Sequence, residues 1–151
     1  MLNPDIYFEK GVIEKLEKYM DEKIEVGLVM PKILYPNGEI QKLAKLLPTP
    51  MNLIFRKFCP LKKYIDKLDY KYEMRFSGYD KEMEVPYLSG CFMFVRTEIF
   101  KEVGYFDENF FMYLEDTDLS RRIHEKYKTI YYPKVQVNHK FAKGSYVNKK
   151  L

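Results

Sequence analysis

Two short patterns, in a fixed order near the N-terminus, constrain the fold most. Val12, Ile13, Leu16 and Met20 recur at helical spacing with Glu and Lys between them. That spacing predicts an amphipathic helix over residues 9–22. Gly27-Leu28-Val29-Met30 follows as a short apolar run, best read as a buried strand. The same alternation returns in the second half. Cys91-Phe92-Met93-Phe94-Val95 is strand-like, and Thr97 to Val103 should form a short helix stopped by Gly104. Asp116 to Tyr127 should form another helix, with Leu119, Ile123 and Tyr127 on one face. Ile130-Tyr131-Tyr132 reads as a strand, and Val135, Val137 and His139 alternate as in a further one. The expected class is α/β, a mixed sheet flanked by helices.

Between these halves the character changes. Tyr35-Pro36-Asn37-Gly38 is a strong turn, from which Glu39-Ile40-Gln41 can return as a short strand. From Lys42 to Tyr72, Leu, Ile and Phe mix with Lys and Arg, and Pro48, Pro50 and Pro60 cut the segment into short helices. Residues 42–82 are expected to form an inserted basic, helical and aromatic arm rather than part of a sheet. The arm has two readings: a peripheral contact with an anionic membrane surface, or a cap with solvated lysines.

The length of 151 residues suits one domain with a real core. A net charge of +4 is too mild to demand a polyanion, no nucleic-acid motif is present, and the basic residues are interleaved with acids, so nucleic acid is not the expected partner. Cys59 and Cys91 are too few for a disulfide framework and too far apart for a metal knuckle, which makes reduced thiols the natural state. The first residues carry no signal-peptide pattern, and no run approaches the ~20 apolar residues of a membrane span. A cytoplasmic location is expected, with the inner face of the plasma membrane as the site of any membrane contact.

The densest chemical signal is Phe110-Phe111-Met112-Tyr113-Leu114-Glu115-Asp116-Thr117-Asp118-Leu119. Three carboxylates fall within four residues at a helix start, just after an aromatic cluster. For any single acid there, helix capping and the helix dipole suffice as an explanation. All three beside aromatics also suit a general base at the edge of a sugar-binding wall. Asp5 alone is an ordinary turn residue, and His139 alone reads as a structural histidine. Ser89-Gly90 allows close backbone approach but is weak by itself.

In combination these segments resemble a known family. Asn3-Pro4-Asp5, Leu88 to Arg96, Val103 to Leu119 and Val137-Asn138-His139 occur in that order. The set resembles the rhamnosyltransferase-type branch of the family 2 glycosyltransferases, which have the Rossmann-like GT-A fold. The resemblance implies that Asn3-Pro4-Asp5 stands where the family has an Asp-x-Asp metal motif, with Asn3 in place of the first acid and Asp5 as metal ligand. It implies His139 as a second ligand of a divalent cation, Mg²⁺ or Mn²⁺. Asp116 would be the catalytic base, beside Glu115. Ser89, Gly90, Tyr113 and Asp118 would bind substrate. The implied partners are a nucleotide-sugar donor, rhamnose being the leading sugar, and a saccharide or lipid-linked acceptor in cell-surface polysaccharide synthesis. The family's N-terminal nucleotide-binding βαβ half has no counterpart before Asn3, so a partial GT-A domain, the catalytic and acceptor-side portion, is expected. Strand residues around Leu28 would then lack parallel partners and favour self-association through apolar edges. A non-catalytic fragment or interaction module is the competing expectation.

Overall fold

The computed structural model describes residues 1–51, 59–110 and 114–140. Its centre is β2 (Val26–Leu34) laid parallel to β7 (Lys128–His139). Residues 26–31 of β2 are buried without a break, so both faces of the strand are covered. Helix α1 (Val12–Glu22) covers part of it with Val12, Leu16 and Met20 of the predicted stripe, and with Tyr19 where Ile13 was expected. The helix starts later than expected because Gly11, at φ 90°, ends the preceding turn in a left-handed conformation.

The five-stranded sheet runs β1-β7-β2-β6, with β4 also paired to β7. Here β1 is Ile6–Tyr7, β4 is Met83–Glu84 and β6 is Phe94–Val95. The β2–β7 pair is parallel while β1, β4 and β6 join antiparallel, so the sheet is mixed. Leu28 lies opposite Thr129 on one side and Val95 on the other. The expected loss of parallel partners around Leu28 therefore does not hold, because β7 supplies one from the same chain.

A second correction concerns β7. Residues 130–132 and 135–139 were expected as two strands, yet 128–139 is one strand. The register with β2 jumps from Pro31↔Tyr132 to Lys32↔Gln136, so residues 133–135 bulge out of the ladder. On the opposite edge β4 reaches only Tyr131 and β1 begins at Asn138. Pro133 thus sits where no ladder bond needs its missing N–H.

Ala44–Lys45 (β3) pairs antiparallel with Tyr87–Leu88 (β5) in a small second sheet. This part of the 42–82 segment is sheet, contrary to the expectation of an arm outside any sheet. Helix α2 (Lys62–Tyr72) is one of the short helices expected in this segment, and Leu46 N–H donates to Tyr72 C=O at 2.9 Å to tie it to β3. Any helix across 52–58 lies outside the described residues. Glu39-Ile40-Gln41 returns only as an isolated bridge, Ile40 to Leu34.

Thr97–Ile99 is a 3₁₀ turn leading into α3 (Phe100–Val103), and Gly104 ends it at φ 75°, as predicted. Helix α4 (Glu115–His124) buries Leu119 and Ile123 completely. Its packing on β2 depends on Gly27, where an added Cβ would lie 2.7 Å from Tyr127 Cβ and 3.1 Å from Ile123 Cγ2. Among the described residues, no helix is long and apolar enough to cross a membrane.

Candidate functional site

A cavity of about 490 Å³ opens between the Ser89–Cys91 loop, the first turn of α4, the N-terminal segment and the end of β7. Ser89, Gly90, Glu115, Asp116 and His139 line it, together with Asn3, Tyr35, Gln41 and Phe106. Backbone contacts bring its walls together. Asn3 N–H donates to Cys91 C=O at 2.9 Å, which holds the N-terminal segment against the loop. Pairing of Ile6 with His139 brings the start of the chain to the end of β7.

The loop is fixed to α4 through Ser120. Leu43 and Ser89 share the β3–β5 ladder bond, so the N–H and C=O of Leu88 point away from β3. Ser120 Oγ takes both, donating to Leu88 C=O at 3.0 Å and accepting from Leu88 N–H at 3.4 Å. Ser120 and Leu88 are fully buried.

Asp116 is the best-held carboxylate of the cavity. Its Oδ2 accepts from Gly90 N–H at 2.7 Å and from Tyr87 O–H at 3.2 Å, and its Oδ1 accepts from Thr117 N–H at 2.8 Å. A Cβ on residue 90 would come within 3.0 Å of Asp116 Cβ, so glycine is what permits this approach. Burial, and then the charge of Asp116, push the Tyr87 phenol well above its ordinary value, which keeps it a donor at neutral pH. Burial likewise pushes the Cys91 thiol up to about 11.

Glu115 differs. Its Oε2 is buried and has no hydrogen-bond partner among the described residues. A buried, unpartnered carboxylate oxygen on a cavity wall is costly unless a ligand hydroxyl completes it. Leu114, just before it, holds φ at 67°, an uncommon conformation for leucine. The first turn of α4 thus carries both local strain and an unmet acceptor.

His139 is 3% exposed. Its Nε2 lies 3.2 Å from Asp5 Oδ1, and its Nδ1 lies 3.0 Å from Gln41 Oε1. Asp5 and His139 are therefore adjacent; His139 lines the same cavity as Asp116, and Asp5 pairs with it without lining the cavity. Asp118 is placed elsewhere. It does not line the cavity, and its carboxylate binds Arg121 at 3.3 Å and Arg122 at 2.8 Å. Arg122 in turn donates to the carbonyls of Val103 and Tyr105, fixing the turn after α3. Tyr113 lies outside the described residues. Sequence reasoning missed Gln41, Tyr87 and Ser120. Their roles come from pairing across 98, 29 and 32 residues, which no local pattern records.

No protein-family model matches the chain. Among curated proteins it is similar to the N-acetylglucosaminyl-diphospho-decaprenol L-rhamnosyltransferase of two strains of Mycobacterium tuberculosis. In each case the identity is 30%, over 91% of this chain and 45% of the relative. The chain thus spans about half the length of the curated relatives it matches. The similarity supports a relationship between this chain and a glycosyltransferase.

Proposed function

We propose that this chain carries the acceptor-side catalytic site of an inverting sugar transferase that uses a nucleotide-diphosphate sugar, with Asp116 as the general base. The observation that carries the reading is the Asp116 carboxylate, gripped by Gly90 N–H and Tyr87 O–H on the wall of the cavity. Three donors fix its orientation, and it remains on a surface that a ligand can reach.

In the reaction an acceptor hydroxyl enters beside Asp116. Its proton passes to the Asp116 carboxylate as its oxygen bonds to the anomeric carbon of the donor. The bond from that carbon to the diphosphate oxygen breaks with its electron pair leaving on the diphosphate. One displacement inverts the anomeric centre and needs no covalent sugar intermediate. Glu115 Oε2, unpartnered among the described residues, accepts a second acceptor hydroxyl and orients the sugar. Ser89 and Gly90 line the cavity, and aromatic Phe106 contributes an apolar part of its wall.

Among the described residues no three His, Cys, Asp or Glu side chains converge as a metal cage. Asp5 Oδ1 and His139 Nε2, facing each other, fit a cation that keeps its other positions for phosphate oxygens and water. Mg²⁺ or Mn²⁺ bound there would neutralise charge on the departing diphosphate. Asp118 supports the site from outside through Arg122. By analogy with the relatives' name, the donor sugar is rhamnose and the acceptor an N-acetylglucosaminyl-diphospho-lipid. The acceptor's lipid tail places the reaction at a membrane surface, where the basic segment around α2 makes a peripheral contact.

The test is chromatographic. The chain, incubated with nucleotide-diphosphate rhamnose, Mn²⁺ and a short-chain N-acetylglucosaminyl-diphospho-lipid, should yield a rhamnosylated lipid and free nucleoside diphosphate. Hydrolysis of the donor with no glycosylated lipid would contradict the acceptor assignment.

A further inference from the structure

The geometry points to a lipid subsite: a groove between the end of β3 and α2 takes the apolar tail of the acceptor, and β3 leads to it from the Asp116 cavity. The inference deepens the reading above and rests on it for the identity of the tail. Leu46, Leu47, Met51, Leu68 and Tyr72 line the groove, with Lys71 at its side, around a volume of about 240 Å³.

Two observations carry it. The first is continuity with the site. Leu43 lines the Asp116 cavity and Leu46 lines the groove, ~10 Å further along the extended chain. Lys45, between them, falls on the same strand face as Leu43. Its Nζ stands 5.7 Å from the centre of the Tyr87 ring and 5.6 Å from that of Tyr72. Tyr87 donates to Asp116, and Tyr72 is a wall of the groove. A lipid-linked acceptor has the same order: the reacting sugar, then a diphosphate, then the tail. With the sugar at Asp116, the diphosphate falls beside the Lys45 ammonium and the tail reaches the groove.

The second is the pattern on α2. Tyr64, Leu68 and Tyr72 recur at i, i+4 spacing and form one row, and Lys63, Lys67 and Lys71 form the row beside it. The apolar row continues the groove along the helix, and it is open. Tyr64 is 43% and Met51 48% exposed, while Leu46, Leu47 and Leu68 are only half-buried. A helix that served only as a cap would turn its apolar row inward and its lysines away. Here the lysines border the apolar row, which suits a ligand with an apolar tail and an anionic head.

The experiment is a methyl ¹H–¹³C titration of the full chain, labelled in leucine and methionine, with geranyl diphosphate as the probe. The methyls of Leu46, Leu47, Met51 and Leu68 should shift, whereas inorganic diphosphate should leave them in place. The buried Met30 and Met93 methyls report any global change. Leu68→Gln should weaken the probe about 10-fold, the effect of losing one apolar side chain from the contact. In the transfer assay it should raise KM by a similar factor for a long-tailed acceptor and leave a tail-less sugar diphosphate unchanged. Groove methyls unmoved by the probe, or moved as much by inorganic diphosphate, would overturn the inference. A short-chain phosphatidylglycerol, kept below its micelle concentration, should bind more weakly than the probe; equal or tighter binding would assign the groove to bulk lipid and also overturn it. If Leu68→Gln does not fold, Met51→Gln, at an exposed position, takes its place. Groove binding without sugar transfer would sink the acceptor reading and leave the lipid subsite standing. Transfer that ignores the tail, with the groove methyls unmoved, would do the reverse.

Discussion

Removing the Ser120 hydroxyl gives the most sharply defined test of how the site is built. Its oxygen serves two backbone groups of Leu88 that β3 does not reach, at 3.0 and 3.4 Å. Both residues are fully buried, so water cannot replace it. Leaving a buried backbone group unsatisfied costs ~1–3 kcal/mol, with the longer contact at the low end, for a gross loss of ~3 kcal/mol. Alanine returns ~0.5 kcal/mol through its better helix propensity. The net destabilisation for Ser120→Ala is therefore about 2–3 kcal/mol. In urea, with a slope of ~2 kcal/mol per molar, the midpoint should fall by ~1 M or somewhat more at constant slope. Circular dichroism reads the midpoint. Amide exchange at Leu88 and Gly90 reads the local effect, and both amides should exchange faster. A midpoint shift below ~0.3 M, with exchange at those two amides unchanged, would refute the claim that the Ser120 hydroxyl carries a main link between the loop and α4.

Other expectations follow from the same contacts. Gly27→Ala places a methyl 2.7 Å from Tyr127 Cβ and should cost ~2–3 kcal/mol by urea unfolding, whereas a near-neutral result would mean that α4 slides freely on β2. Alkaline stability has a definite sign. Burial holds the Cys91 thiol at about 11 against an ordinary value of 9.0, and raises Tyr19, Tyr79, Tyr87 and Tyr131 well above 10.0. Below pH 9 both states keep these protons, so their contribution is fully present. As pH rises through 9 and then 10 the unfolded chain releases them first, and stability falls by up to ~1.4 kcal/mol per pH unit for each group. Tyrosinate absorbance should then lag in the folded protein and jump on unfolding; smooth titration near 10 with the fold intact would contradict this burial.

How much of this was legible follows from the range of each interaction. The apolar stripe of α1, the run 27–30 and the Gly104 stop are local signals, and the structure reproduces them. The two expected strands over 130–139 are one, and only the register jump to Gln136 shows how the bulge at 133–135 is absorbed. Ala44–Lys45 carries too little alternation to announce β3, which exists because Leu43 and Ala44 find Ser89 and Leu88. In the site, Asp5, Glu115, Asp116 and His139 were nominated from their order along the chain; Glu115, Asp116 and His139 line one cavity, and Asp5 pairs with His139 beside it. The partners that orient them could not be nominated that way. A glutamine after a turn and a serine on a helix look ordinary until the fold sets carbonyls beside them. Asp118 differs: the resemblance implied a substrate ligand, while its carboxylate is tied to Arg121 and Arg122.

The central claim is that Asp116 takes the proton of the acceptor hydroxyl, and Asp116→Asn tests it most directly. Asparagine keeps the size of the side chain and an acceptor for Gly90 N–H and Tyr87 O–H, so the fold should survive with a loss of ~1 kcal/mol or less. Transfer of the sugar to the lipid acceptor, followed by chromatography, should fall by ~10²–10⁴-fold, the range a general base contributes. Donor and Mn²⁺ binding by calorimetry should stay within a few-fold of wild type. Transfer at the wild-type rate in a folded Asp116→Asn protein would contradict the account.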